Sequence, residues 1–267
     1  MSKHELLNTY EKQEDKLLIA KILDAIEQTK TKNRIVNTDF LDLYQTKIIM
    51  KLLNKIKKQN YLIFGGYEEA ERKMIIFYPE KLTKDIVLKN INNIMKAIRI
   101  ELPNDLKGQY THKNYLGGIM KLGVKREKLG DILVQDDGAD VIISKDILRY
   151  IKENIILLKR FSKSNIAEIN VEDIKVVETK KEEQEIIVSS LRLDSIVAEL
   201  AKISRNKASE IIALGRVFVN YENEIKLSKE IKIGDIITIR GKGKYKIKQL
   251  IRNTKKEKNV VKIEKYI

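Results

Sequence analysis

The sequence predicts an α+β chain in three parts: a helical/β N-terminal module over 1–84, a ferredoxin-like (βαββαβ) middle domain over 85–178, and a small C-terminal domain over 179–267. Three observations predict this. A 3.6-residue apolar period dominates the first part, and the middle elements follow one another as β-α-β-β-α-β. Near the C-terminus, two short helical periods precede a run of alternating strands.

From Glu5 to about Lys58, Leu6, Leu17, Leu18, Lys21, Ile22 and Ala25 fall near the helical repeat. TDFLDLYQTKIIMKLLNKIKK offers Thr38 or Asp39 as the cap of a further helix. YLIF and MIIFYP read as strands around Gly65–Gly66. A phosphate loop is rejected there, since no Gly-Lys-Ser/Thr follows and paired glycines readily serve as turns.

In the middle part, IMKAIRIEL reads as a strand, YTHKNYLGGIMKLG as a helix stopped by Gly123, and DILVQ with DVIIS as a hairpin around Asp137–Gly138. A helix from Lys145 to about Leu158 and a strand near IAEINVEDI complete the split βαβ order. The strands DILVQ and IAEINVEDI carry no aromatic, so base stacking of the RNA-recognition-motif kind is not supported. Gly117–Gly118 within a helix costs of order 1–2 kcal/mol against alanine. A close neighbour is therefore expected there, either the domain's own sheet or an RNA backbone. TKKEEQEI, 179–186, reads as a charged bridge to the last domain.

Beyond it, Asp194 can cap a helix whose apolar face is Ile196, Val197, Leu200 and Ile203. Ser204 opens a second, with Ala208, Ile211, Ile212 and Leu214 inward and Gly215 as its stop. VFVN begins a short strand, Gly234–Asp235 turn the chain, and IITIRGKGKYKI supplies two more strands.

The 267 residues carry a formal charge of +15. Residues 181–267 hold 20 Lys+Arg against 12 Asp+Glu, and the remaining 180 residues hold 33 against 26. The excess gathers at the C-terminal end, which points to a polyanionic partner. No cysteine is present, which excludes disulfides, thiolate zinc sites, iron–sulfur clusters and cysteine nucleophiles. No apolar run approaches the roughly 20 residues that span a bilayer, and MSKHELLNTYEKQEDK lacks the apolar core of a secretory signal. A soluble, cytoplasmic protein without a membrane partner is expected.

RGKGKYKIK, 240–248, places Arg240, Lys242, Lys244, Lys246 and Lys248 at alternate positions. In one extended strand all five would share a face. Edge protection needs only one or two lysines, so the row favours RNA phosphates as its partner. The second short helix opens with Arg205, Asn206, Lys207 and Ser209, where cations and unpaired backbone N–H groups converge. Together with Arg192, Lys202, Ser204, Arg216 and Asn220, these residues are the candidate RNA surface, taken as continuous from helix start to strand row. A possible second surface comprises His112, Lys113, Lys125, Arg126 and Lys128.

LRLD, ISRNKASEIIALGRVFVN and IGDIITIRGKGKYKI resemble the αL RNA-binding domain named after the fourth protein of the small ribosomal subunit. Arg192, Asp194, Ser204, Arg205, Ala208, Gly215, Val217, Val219, Asn220, Gly234, Asp235, Arg240 and Gly241 carry the likeness, while Tyr221 stands where that family usually has glycine. FLDLYQTKII, GGYEEAER and THKNYLGGIMKLGVKREKLGDILV are similar to the YlmH family, so the resemblance spans nearly the whole chain. Membership implies a ribosome-associated protein with large-subunit ribosomal RNA and tRNA as partners, acting in quality control of stalled nascent chains. Residues 1–180 show neither a nucleotide-cofactor loop nor a catalytic constellation, so no enzyme activity, cofactor or small-molecule substrate is expected, and a monomer off the ribosome is expected.

The rivals are an RNA-modifying enzyme and a cell-division scaffold. Pseudouridine synthases also carry an Arg-Leu-Asp phrase, yet too little chain follows LRLD to build a catalytic domain around it. The expected role of Arg192 and Asp194 is to tie the first helix to its sheet. The acid pairs Asp136–Asp137 and Glu182–Glu183 lie in turn or linker sequence and read as solvated. No metal ligands or catalytic residues are expected.

Overall fold

In the computed structural model the described residues are 3–56, 59–176, 181–253 and 258–266. They divide between two compact units, Met1–Val177 and Glu178–Ile267.

The first unit opens with α1 (Lys3–Asn8), α2 (Gln13–Lys32), β1 (Val36–Asn37), α3 (Leu43–Ile56), β2 (Tyr61–Phe64), β3 (Met74–Phe77) and α4 (Lys84–Lys89). The strands form an antiparallel sheet in the order β1-β3-β2. Ile19, Ile22 and Ile26 of α2 and Ile49, Leu52 and Leu53 of α3 bury against Ile75 and Phe77. Leu17, expected on the buried face, is 58% exposed. The true stripe of α2 runs through Ile19, Ile22, Ala25, Ile26 and Thr29. The cap of α3 is not Thr38 or Asp39. The Thr38 hydroxyl accepts from the Ile75 amide, and Leu41 pairs with Lys73, so this stretch is drawn to the sheet. Asp42 takes the cap instead, its carboxylate accepting from the Gln45 amide at 2.8 Å while Gln45 accepts from the Asp42 amide at 3.0 Å. The expected helix end at Lys58 lies outside the described residues.

The same unit continues with β4 (Met95–Glu101), α5 (His112–Met120), β5 (Leu129–Gln135), β6 (Gly138–Ser144), α6 (Leu148–Asn154) and β7 (Asn165–Ile169). Their sheet order, β5-β6-β4-β7 with antiparallel neighbours, is the ferredoxin-like arrangement. One face buries Ile98, Ile100, Val141 and Ile143 beneath α5 and α6. The opposite face places Met95 and Ile142 against Phe40, Leu62, Met74 and Ile76 of the N-terminal elements. This sheet is covered on both sides, so its faces offer no platform for bases. The close neighbour of Gly118 is also internal: a Cβ there would stand 2.4 Å from the Phe161 ring, whereas Gly117 faces open space.

The second unit contains β8 (Lys181–Val188), α7 (Leu193–Ala201), α8 (Arg205–Ala213), β9 (Val217–Val219), β10 (Glu222–Asn223), β11 (Ile236–Ile239), β12 (Gly243–Asn253) and β13 (Asn259–Tyr266). They make one antiparallel sheet of six strands, ordered β10-β9-β11-β12-β13-β8, larger than the three strands expected. The expected bridge TKKEEQEI is a strand from Lys181 onward, paired along its length with β13; Thr179 and Lys180 lie outside the described residues. Leu193, Ile196, Val197, Leu200, Ala208 and Ile212 of the helix pair pack onto Val219, Ile237, Tyr245, Ile247, Val261 and Ile263. Both helices therefore cover a single face of the sheet.

Candidate nucleic-acid interface

The start of α8 is built by Ser204 and Asp194. Ser204 has extended backbone and its hydroxyl accepts from the Lys207 amide, as an N-cap should. Asp194 is not the cap of α7; Arg192 holds that position, and Asp194 lies in the first turn, 5% exposed. Its carboxylate accepts from Arg192 Nε at 3.2 Å, Arg205 Nε at 3.0 Å and the Ser195 amide at 3.0 Å. Burial pushes the carboxyl pKa up, but the hydrogen bonds from Arg192 and then Arg205 outweigh it and hold it below the ordinary value. Asp194 thus joins the starts of the two helices rather than tying α7 to the sheet. Each arginine remains about half exposed, 46% for Arg192 and 49% for Arg205.

Lys202 ends α7 in the left-handed region at φ 52°. Lys202, Asn206 and Lys207 are exposed and make no ion pair among the described residues. Ser209 turns back to donate to the Arg205 carbonyl and is only partly exposed. The result is a compact cationic group around a helix start. Two lysines there lack a carboxylate partner, and the first-turn amides have no acceptor within the helix.

The strand row differs from expectation. Gly241 and Gly243 have φ of +80° and +135°, and the Lys242 amide donates to the Ile239 carbonyl, so Arg240 and Lys242 belong to the β11–β12 turn. Glycine bears these positive φ values without the Cβ clash that would strain other residues. Of the five cations only Lys244, Lys246 and Lys248 lie on β12, and Lys248 sits at a register shift between Ile247 and Gln249. Tyr245 and Ile247 point into the core under the helices, so Lys244 and Lys246 occupy the opposite face. Helix start and strand row are therefore two surfaces, not one continuous surface.

The face opposite the helices has its own composition. Phe218, Thr238, Lys244, Tyr266 and Lys181 are successive cross-strand partners over five strands. The Arg240 guanidinium lies 5.0 Å from the Phe218 ring centroid. The Lys244 ammonium lies 5.2 Å from Tyr221 and 4.7 Å from Tyr266, and Lys181 is 5.5 Å from Tyr266. Lys248 and Lys181 both pair with Glu264, at 3.2 and 3.6 Å. Arg216 is exposed after α8, and its carbonyl accepts from the Arg240 amide. Asn220 is occupied internally: its amide group donates to Asp235 at 2.7 Å and accepts from the Ile236 amide at 3.0 Å.

In the first unit the candidate cations divide as well. His112, Lys113 and Lys125 are exposed. Lys128 is held between Asp39 and Asp146, at 2.7 Å from each. Arg126 donates to the Leu129 and Gly130 carbonyls; desolvation and then the nearby Arg72 lower its pKa to about 10. Partial desolvation, then Arg126, also pushes the His112 imidazole down, so it is neutral at neutral pH and adds no charge. Among the described residues no group of three or more His, Asp or Glu has the arrangement of a metal site, and no helix is long and apolar enough to cross a membrane.

Comparison with known proteins adds an independent line. Residues 14–82 match the family model described as "YlmH, N-terminal", and residues 90–183 match the one described as "Putative RNA-binding domain in YlmH". The chain belongs to the YlmH family. It is 29% identical over 230 residues to the "Ribosome-associated protein quality control protein P2" of Bacillus subtilis (strain 168), covering 84% of this chain and 85% of that protein. Among solved structures it is similar to the "Cell division protein ylmH from Streptococcus pneumoniae", with a TM-score of 0.49, 19% identity and coverage of 62% of this chain and 98% of that one.

The family's RNA-binding match falls on the middle domain, whereas the sequence pattern drew attention to the C-terminal one. The pattern also gave no weight to the aromatics Phe218, Tyr221 and Tyr266. A phenylalanine between two buried valines in VFV is a signal that it faces away from the core. Tyr266 carries no such signal, because its strand does not read as one.

Proposed function

We propose that this chain is a non-enzymatic RNA-binding protein that associates with the large ribosomal subunit and with tRNA in the quality control of stalled nascent chains. The observation carrying this reading is the start of α8, where exposed Lys202, Asn206 and Lys207 lie beside the first-turn amides of Arg205 and Asn206, the Lys207 amide being taken by the Ser204 hydroxyl. A helix pair packed on a small sheet fits an αL RNA-binding domain. The YlmH membership and the name of the Bacillus subtilis relative support a ribosomal setting. Asp194 argues against the pseudouridine synthase reading of LRLD. Two arginines and a backbone amide already occupy this buried carboxylate, which leaves it poorly placed as a nucleophile.

The test is filter binding to large ribosomal subunits and to tRNA over a range of salt concentrations. Lys202→Ala/Lys207→Ala is the informative variant, since Arg205→Ala would break the Asp194 cluster and confound binding with folding. Loss of two phosphate contacts should lower the slope of log affinity against log salt by about 1.8 on duplex RNA, taking the per-phosphate value for duplexes. Unchanged affinity and slope would reject the helix start as the contact.

A further inference from the structure

The face of the C-terminal sheet opposite α7 and α8 has a composition that neither its own fold nor the helix-start site accounts for. Phe218 stands on it between the core-facing Val217 and Val219, and Tyr266 lies three strands away, about 14 Å at the usual strand spacing. Tyr221 joins them from the β9–β10 turn, where it holds φ at 69° after Asn220 at 49°. A bulky aromatic in the left-handed region is an outlier that a glycine would relieve, so its ring is retained against a backbone cost. All three rings are partly exposed. Cations interleave them: Arg240 against Phe218, Lys244 between Tyr221 and Tyr266, and Lys181 against Tyr266. Lys246 is the next outward residue of the same strand and makes no ion pair among the described residues. The carboxylates on or beside this face are Glu264, shared by Lys181 and Lys248, Glu183, held by Lys262 at 2.6 Å, Glu185, the cross-strand partner of Lys262, and Glu222, the sequence neighbour of Tyr221. Against them stand the six cations Lys181, Arg240, Lys244, Lys246, Lys248 and Lys262. Positive charge remains in excess beside the rings.

We propose that this face is a second nucleic-acid site, one that takes single-stranded RNA by stacking unpaired bases on Phe218, Tyr221 and Tyr266 while Arg240, Lys244 and Lys246 meet the phosphates. Rings supply sequence-tolerant stacking and the cations follow the backbone, the combination that single-strand binding requires. The duplex-directed group at the start of α8 has no aromatic. The inference extends the RNA-binding reading above to a different face and a different form of RNA, so the two can fail separately.

The experiment is fluorescence anisotropy of the full chain with a labelled uridine dodecamer and with a labelled RNA hairpin. Three proteins are compared: wild type, Tyr221→Gly/Tyr266→Leu, and Lys202→Ala/Lys207→Ala. The aromatic variant should lose roughly tenfold or more in affinity for the dodecamer, the effect of one or two stacked bases, and keep its hairpin affinity within about twofold. The lysine variant should show the opposite pattern. Equal dodecamer affinity in wild type and aromatic variant overturns the proposal, as does a wild type that does not bind the dodecamer. A lysine variant with normal hairpin binding overturns the helix-start reading and leaves this one standing. Photocrosslinking of wild type with an iodouridine dodecamer provides a readout that no folding defect can mimic. Adducts on the peptides containing Tyr221 or Tyr266 support the site, and adducts confined to α8 overturn it.

Discussion

Asp194 is a carboxylate whose worth depends on protonation. It is buried, it accepts from Arg192, Arg205 and the Ser195 amide, and its pKa is depressed despite the burial that opposes this. A group with a folded-state pKa below its unfolded value contributes stability above the unfolded value, about pH 4, and loses it as pH falls through the folded value. Asp194→Asn should therefore destabilise the C-terminal unit by about 1–2 kcal/mol at neutral pH, a figure discounted because both arginines are half exposed. The variant should lose less stability than wild type as pH falls below about 4, so that the gap between the two narrows, while Glu264 and the other paired carboxylates weaken both proteins alike. Urea midpoints of both proteins at neutral and acid pH measure this, and parallel pH curves would refute it. The sequence marked Asp194 as important but misplaced its role. A cap and a clamp use the same residue type, and only the approach of Arg205 from the next helix separates them.

At the level of single elements, Gly117 and Gly118 make a paired prediction on α5. Alanine at 117 meets open space and should add about 0.8–1 kcal/mol through helix propensity. Alanine at 118 would drive its Cβ into Phe161, whose ring stacks on Tyr115 at 5.9 Å between centroids. Overpacking of about 1–3 kcal/mol should outweigh the propensity gain. Adjacent Gly→Ala changes should thus shift the thermal midpoint in opposite directions, and shifts of the same sign would contradict the packing of Gly118 on Phe161. The βαββαβ order was legible because each of its elements carries a distinct period and ends at a turn residue. β8 and β13 were not legible. KEEQEIIV and NVVKIEKY present charges on the outer face and few apolar residues inward, so each reads as linker until its partner strand is known. The five-cation row failed for a related reason: alternation was counted through Gly241 and Gly243, where the chain is turning.

The whole molecule consists of two units, each with its own core. Residues from Ile186 to Ile263 supply one, and the clusters of the first unit draw on residues no later than Ile174. A unit that buries its own apolar face should fold alone, so residues 178–267 expressed by themselves should unfold in a single cooperative transition. If the α8 start is its contact, this fragment should also bind an RNA hairpin within about twofold of the full chain. Large ribosomal subunits should behave differently. The family's RNA-binding match lies chiefly in the first unit, at 90–183, so candidate surfaces lie in both units of the full chain. Binding through both would make the second contact intramolecular, and linkage of this kind raises affinity by roughly 10²–10⁴ without any new contact. Removing the first unit should then cost that factor on ribosomal subunits and almost nothing on the hairpin. Equal losses on both ligands would mean that the fragment is damaged. Equal retention on both would mean that the first unit contributes no contact to the ribosome, leaving the C-terminal unit as the entire anchor.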